Sequence, residues 1–465
     1  MIIKKLSLFF LISLLLLFSV STVSAQDQTP SAPVYIVQSG DTMYTIALRF
    51  NISLNDLITA NPSINPDVLQ AGMEIVIPGL NGVSGILNTE SIPLGLGLDD
   101  LARFRNVPKD LLIKLNKITS PAEVYAGSNL IIPQEEQPSY MAGLGKLSPQ
   151  HSLLQVAAEK SLNPWTIALA HQQNNPQIIL SGEMLYSPSK EEVPPPNPLM
   201  PVVQSVVLSP LPLVQGRTVV VTVSTSQPVE ISGALNGRSL QFFPNGENEV
   251  VAIQGIHAMT EPGLIPFGIQ VQTSDGNVLR FQQDILLMSG YYPQDPPLSV
   301  DPATIAPENT KPEDDLIREI VSKVTPQKLW QGMFTLPVDE PVCIRSGYGN
   351  RRSYNGSPYT YFHTGLDYGV CANLNIRAPA AGVVVYTGDL TVRGKSTIID
   401  HGWGIFSGIW HQQEILVKVG DKVEPGQLIG LIGGTGRVTG PHLHWEVWAN
   451  GVQVNPQQWL EQSFP

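Results

Sequence analysis

Five of the eight histidines in this 465-residue chain stand at or beyond position 363. They occur in "HTGLD" (His363, with Asp367), "DHGWG" (His401), "GIWHQQ" (His411) and "GPHLHWE" (His442 and His444). Imidazole and carboxylate are ligand types that suit zinc, and a catalytic zinc keeps three protein ligands plus a water. The candidates outnumber that sphere, which leaves some of them for acid–base work. On a straight strand His363 and Asp367 would stand about 13 Å apart, too far to share an ion. Gly365 and its strand-like neighbours argue against a helix, so a bend at Thr364–Gly365 is required for both to bind. His442 and His444 share one strand face, with Cβ atoms about 7 Å apart. One can hold the ion while the other faces what the ion binds.

The elements around these residues read as strands, and a helix precedes them. Leu316, Ile317, Ile320, Val321 and Val324 form one apolar face of that helix. It follows a Pro-rich segment, "YYPQDPPLSVDPATIAPENTKP", so residues 291–332 read as linker and helix. Residues 202–290 show strand runs such as "RTVVVTVSTS", with Asp275–Gly276 as a hairpin turn and no helical period. A β-sandwich is expected there, acting as a spacer or interaction module, with His257 isolated. A stiff Pro-rich linker, 190–201, precedes it.

Near the N-terminus, Thr42 can cap a helix in which Met43, Ile46, Ala47 and Phe50 recur at helical spacing. Ser53 can cap a second helix carrying Leu54, Leu57 and Ile58, and "MEIVIP" closes the unit as a strand. The order strand–helix–helix–strand (βααβ) occupies residues 34–79. It returns in weakened form over 91–134 and 144–189, both without the "GDT" turn. His151 and His171 lie in the third copy with no ligand cluster beside them.

The chain carries a formal net charge of −12, and the Lys4 and Lys5 that open it belong to an apolar leader. A nucleic-acid partner is disfavoured, because phosphate binding needs clustered positive charge. The leader, residues 1–25, has the basic start, apolar run and small-residue exit of a secretory signal peptide. A secreted, extracytoplasmic and wall-associated protein with no membrane span after cleavage is expected, its oligomeric state open. In that compartment the two cysteines, Cys343 and Cys371, are expected to pair as a disulfide.

The motifs "VQSGDTM", "LITANP" and "GMEIVIP" closely resemble the LysM domain. That resemblance implies binding to N-acetylglucosamine-containing glycans such as peptidoglycan, through loops containing Gly40, Asp41, Thr42 and Asn61. Turn and cap chemistry is the alternative use of Gly40 and Asp41. Roughly Phe334 to Leu460, within a domain read as 333–465, resembles the LytM-type M23 zinc metallopeptidases in "SGYGNRR", "HTGLDYG", "IRAPAAGVVVYTG", "VKVGDKVEPGQLIGLIGGTGRVTGPHLHWEV" and "VNPQQWL", in family order. The resemblance implies a mostly antiparallel β domain and one zinc ion on His363, Asp367 and His444. It places His411 and His442 beside the reacting water as general base and transition-state stabiliser, without deciding which takes the proton. Its implied substrate is the peptide of peptidoglycan, the bond cut being open. Two features depart from the family: "WHQQ" stands where "YxHL" is common, and the cysteines are not in its signature. A Cys343–Cys371 bond would tie the strand before "SGYGNRR" to the loop after "HTGLD". His401 occupies a family position that is not a ligand, and packing is its expected role.

The whole is therefore expected to be multidomain: α+β repeats, a β-sandwich and the antiparallel peptidase domain. The rival reading is a noncatalytic wall-binding protein that activates another hydrolase; the complete ligand set weighs against it. "VGDKVEPGQLIGLI" resembles a biotinyl or lipoyl carrier but lacks the hairpin lysine. "GGTGRVTG" lacks the Gly-Lys-Ser/Thr ending of a phosphate loop.

Overall fold

The computed structural model describes residues 32–120, 124–134, 140–191 and 202–465. The expected signal peptide and all but the first two residues of the expected 190–201 linker lie outside them. No helix among the described residues is long and apolar enough to cross a membrane.

The chain divides into two compact units, the first of which holds the first repeat. There, strands Val34–Ile36 and Glu74–Val76 pair antiparallel around helices Met43–Phe50 and Leu54–Ala60. Thr42 closes a capping box with Thr45, and Ser53 accepts from the Asp56 amide, so the start of each helix is set by its own cap. Met43, Ile46, Ala47 and Phe50 are all buried, as their spacing requires; in the second helix only Leu57 is, and Leu54 faces solvent.

In the second unit, the second repeat places helices Leu98–Phe104 and Lys109–Asn116 over a core of Ile92, Leu101, Leu112 and Ile132. The third pairs strands Tyr140–Lys146 and Met184–Ser189 around helices Leu153–Glu159 and Pro164–Ala170. One device recurs at the end of each repeat's second helix. Asn61 donates to the Leu57 and Val76 carbonyls and accepts the Val76 amide. Asn116 does the same with Leu112 and Ile131, and His171 accepts the Tyr186 amide. Each side chain bonds the closing strand, and the two asparagines also bond their own helix, where both elements would otherwise leave polar groups unpaired.

Residues 203–288 form two facing sheets, antiparallel except for the parallel pair 278–288 and 213–214, of strand order 238–239, 230–235, 263–272, 278–288, 213–214 and 243–246, 249–255, 218–225, 203–209. Val206, Val219, Val221 and Val223 meet Phe267, Ile269, Val271 and Ile285 between them. The sandwich is not a free-standing spacer. The outer face of its second sheet contributes Val220, Phe243, Val251 and Ile253 to one continuous core with Trp330, Trp403, Val447 and Val454 of the C-terminal region. Phe243 stacks on Trp403 with centroids 4.9 Å apart, and Gln458 bonds both main-chain groups of Thr218.

Nor is the Pro-rich segment a linker. Its Asp295 and Leu298 amides bond the Arg351 and Ser353 carbonyls, and Asn355 bonds both main-chain groups of Val300. The helix begins at Pro307, earlier than the apolar face implied, and runs to Val321, so Val324 lies beyond it. Proline at the first helical position sacrifices no helical hydrogen bond.

The C-terminal region is a ten-stranded, mainly antiparallel sheet. Four neighbours matter for the site: a rim strand Ile344–Ser346, an aspartate strand Leu366–Gly369, a histidine strand His442–Ala449 and a long strand Ile405–Ile415, in that spatial order. Cys343 and Cys371 form a disulfide with Cα atoms 6.1 Å apart, joining the residue before the rim strand to the loop after the aspartate strand.

Candidate metal centre and active-site cleft

The register of the aspartate and histidine strands pairs Asp367 with His444 and Gly369 with His442. Directly opposed residues share a face, so one face carries Asp367 and both histidines. His363 arrives from the preceding loop through a bend at Thr364–Gly365. A Cβ at Gly365 would lie 2.2 Å from the Trp445 carbonyl oxygen, so only glycine permits this approach. The bend brings His363 Nε2 to 2.9 Å from Asp367 Oδ1, and His444 Nδ1 lies 2.7 Å from that oxygen and 2.9 Å from His363 Nε2.

Three lone-pair atoms therefore face one point. Around a tetrahedral zinc with bonds near 2.0–2.1 Å, such atoms would be about 3.3 Å apart. The observed triangle needs to open by only a few tenths of an ångström. The tautomers also suit a cation. His363 Nδ1 donates to the Gly347 carbonyl at 2.7 Å, and His444 Nε2 donates to Glu446 Oε1 at 3.1 Å, which leaves Nε2 and Nδ1 as the respective free lone pairs. Glu446 is held by Thr364 Oγ1 and by Gln453 Nε2 at 3.1 Å. Burial would raise the Asp367 carboxyl, but the two imidazoles packed against it hold it below the usual carboxylate range. Burial lowers the proton affinity of His363, while the carboxylates of Asp367 and Glu446 outweigh burial at His444 and raise it.

His411 reaches the same face by a different route. Trp410 pairs with His444, so strict alternation would send His411 to the opposite side of the sheet. Its backbone instead takes a left-handed conformation, φ 63°, beside a register irregularity, and this returns the ring to the cleft. Its centroid lies 4.9 Å from that of His442. Nδ1 of His411 donates to the Thr435 carbonyl at 2.8 Å and Nδ1 of His442 to the Gly440 carbonyl at 2.9 Å, leaving both Nε2 atoms as acceptors. Burial, aided by His444 and His442, depresses the His411 imidazole to about 3. His442 Nε2 lies 3.6 Å from Asp367 Oδ1.

His401 is separate from this cluster. It is fully buried between the Ala381 carbonyl and the Ser407 hydroxyl, and its ring lies 4.9 Å from that of Phe334, tilted by 60°.

The cleft above the cluster encloses about 740 Å³, and one of its walls is the Pro-rich segment, through Asp295, Leu298, Val300 and Ile305. Sequence reasoning missed that wall, since nothing in a proline-rich composition says where the segment lies. It also missed Arg352, whose Nη2 stands 3.5 Å from Asp367 Oδ2 and 3.0 Å from Ser346 Oγ. Glu446 was missed too, although His442, His444 and Glu446 alternate along one strand, a signal that could have found it.

The expected glycan-binding residues of the first repeat are committed elsewhere. Gly40 makes the turn with φ 87°, and Thr42 caps the helix. Asp41 accepts from the Tyr35 hydroxyl and the Gln38 amide and pairs with Arg49. Asn61 is only 5% exposed and its amide is used by the brace described above. The fold thus uses the Asn61 side chain internally.

Residues 361–456 match Peptidase family M23, and residues 35–78 and 98–133 match the LysM domain. The peptidoglycan DD-endopeptidase ShyA of Vibrio cholerae serotype O1 is 40% identical over 119 residues, 26% of this chain and 28% of ShyA. The DD-carboxypeptidase/endopeptidase Mpg of Neisseria meningitidis serogroup B is 39% identical over 94 residues, 20% of this chain and 22% of Mpg. The chain thus spans less than a third of the length of either relative. A solved zinc containing peptidase from Vibrio cholerae is 15% identical with a TM-score of 0.27, over 91% of this chain and 98% of that one.

Proposed function

We propose that this chain, which carries a peptidase family M23 domain and, N-terminal to it, two LysM domains, is an exported zinc-dependent endopeptidase that hydrolyses peptide bonds of peptidoglycan. The observation that supports this most is the convergence of His363 Nε2, Asp367 Oδ1 and His444 Nδ1, with the free Nε2 atoms of His411 and His442 beside them. Zinc held by the three ligands would supply Lewis acidity, polarising the scissile carbonyl and acidifying the attacking water.

The chain's own residues do the rest. Asp367 brings the one negative charge to the ligand set, and Glu446 fixes the His444 ring. His442 is assigned the proton of the attacking water, because its Nε2 lies 3.6 Å from Asp367 Oδ1 and its ring is the more open of the two to the cleft. His411, too buried to hold a proton easily, stays neutral and orients the water or the scissile amide. Arg352 steadies Asp367 from the far side. The Pro-rich wall and residues 437–441, the loop leading into the histidine strand, would confine an extended peptide across the strands. The LysM domains would raise the local concentration of the peptidase at the wall glycan.

Digestion of purified sacculi from several wall types, with mass spectrometry of the fragments, tests this reading. Release of peptide-cleaved fragments, abolished by chelation and restored by zinc, is expected. Intact sacculi in every case, or activity that survives complete zinc removal, would overturn it; the first outcome would leave a noncatalytic wall-binding protein.

A further inference from the structure

Four arginines line the cleft: Arg345, Arg352, Arg393 and Arg437. Three are already committed. Arg352 serves Ser346, Asp295 and Asp367. Arg393 pairs with Glu313 and Asp314. Arg437 donates to the Thr304 carbonyl and lies over the Tyr354 ring. Arg345 is exposed and, among the described residues, makes no hydrogen bond or ion pair.

Its position follows from the register. Ile344 pairs with Tyr368 and Ser346 with Asp367, which leaves Arg345 as the extra, unpaired residue of a bulge. Its side chain lies across Gly369, where an added Cβ would stand 2.4 Å from Arg345 Nε and 3.0 Å from Cys343 Sγ. Gly369 shares the metal face with Asp367 two residues away and is paired with His442. Arg345, Gly369, His442 and His411 thus form a row across four adjacent strands, one pleat step from the ligand row. The disulfide at Cys343 and Cys371 ties down both strands that hold Arg345 in this place.

We infer that Arg345 is the residue that reads the substrate: it receives a free carboxylate on the residue adjoining the scissile bond. This rests on the peptidase reading above. A carboxylate carbon on the neighbouring residue lies about 3–4 Å from the scissile carbon. An ion-pair contact of up to about 4 Å then spans the pleat step of about 7 Å between the Asp367 and Gly369 rows. A cross-link whose leaving amine sits on a carbon bearing a free carboxylate meets this condition. A glycine bridge does not, since its neighbouring carbonyl is an amide, and neither does a cross-link in which that carboxylate is amidated.

The test uses two synthetic cross-linked peptides that differ only in that group, free carboxylate in one and carboxamide in the other, with the zinc-loaded mature chain. Wild type is expected to favour the carboxylate by on the order of tenfold in kcat/KM, the size of one charge-assisted hydrogen bond. Arg345→Gln should bring that ratio close to one, mainly through KM, and Arg345→Lys should restore part of it. Calorimetric binding of the same peptides to metal-free protein should show the same discrimination and the same loss in Arg345→Gln. Equal rates on both peptides, or a preference that survives Arg345→Gln, would overturn the inference and leave the peptidase reading standing. Hydrolysis of neither peptide, with sacculi also intact, would overturn both.

Discussion

At the scale of single residues, the proposed site would separate holding an ion from moving a proton. His363→Ala and Asp367→Ala each remove one of three donors, and both should abolish zinc binding in equilibrium dialysis. His442→Ala leaves the donor triangle untouched, so it should retain zinc while lowering kcat by about 10²–10⁴-fold. Glu446→Gln removes the charge that orients His444 and should weaken zinc about 10–100-fold. Zinc content and turnover measured on the same preparations separate these outcomes. Retention of stoichiometric zinc by Asp367→Ala would show that the ligand set is wrong.

His401 gives the pH dependence at this scale. Burial lowers its imidazole from an ordinary 6.5 to about 4. Between those values the unfolded chain binds a proton that the folded chain does not, so stability falls as pH drops through this window. The contribution is complete above pH 6.5 and gone below about 4, roughly 3 kcal/mol in all. Urea midpoints of wild type and His401→Gln should converge on acidification from pH 7 to 4.5. A gap that stays constant with pH would mean His401 is not buried neutral.

At the scale of elements, the helix Pro307–Val321 is pinned by one buried carboxylate. Glu313 accepts from the Val392 and Arg393 amides and from the Arg393 guanidinium. Removing it leaves two amides without their partner and the Arg393 guanidinium with only Asp314, a loss of up to about 3–5 kcal/mol to that contact. Glu313→Ala should therefore expose residues 291–321 to limited proteolysis before the rest of the chain, and peptide KM should rise because the segment walls the cleft. Unchanged protection would show that the Pro-rich segment holds its place without the helix. The elements themselves were largely legible. Helical spacing located Met43, Ile46, Ala47 and Phe50, and Asp275–Gly276 does join the strands ending at Gln272 and starting at Val278. What misled was composition: a Pro-rich stretch reads as linker because proline cannot build a ladder, yet its few amides suffice to bond 351–355.

At the scale of the molecule, the sandwich and the peptidase sheet share a core. Residues 333–465 produced alone would expose Trp403, Val447 and Val454 where Phe243, Val251 and Ile253 now cover them. Calorimetry of residues 202–465 should show one cooperative transition joining both parts, and the shorter piece should melt lower or aggregate. Two separate transitions in the longer piece would mean that the shared core does not couple them.

The sequence alone determined the residue types, their parity on a strand and the need for a bend between His363 and Asp367. These depend on neighbours a few positions apart, where backbone geometry leaves few options. Only the tertiary structure decided that Gly365 makes the bend against Trp445, that an irregular backbone turns His411 back to the metal face, that Arg345 lies over Gly369 and that the Pro-rich segment walls the cleft. Each of these depends on register or packing between segments distant in the chain, and a shift of one residue in register would reverse the face each side chain meets.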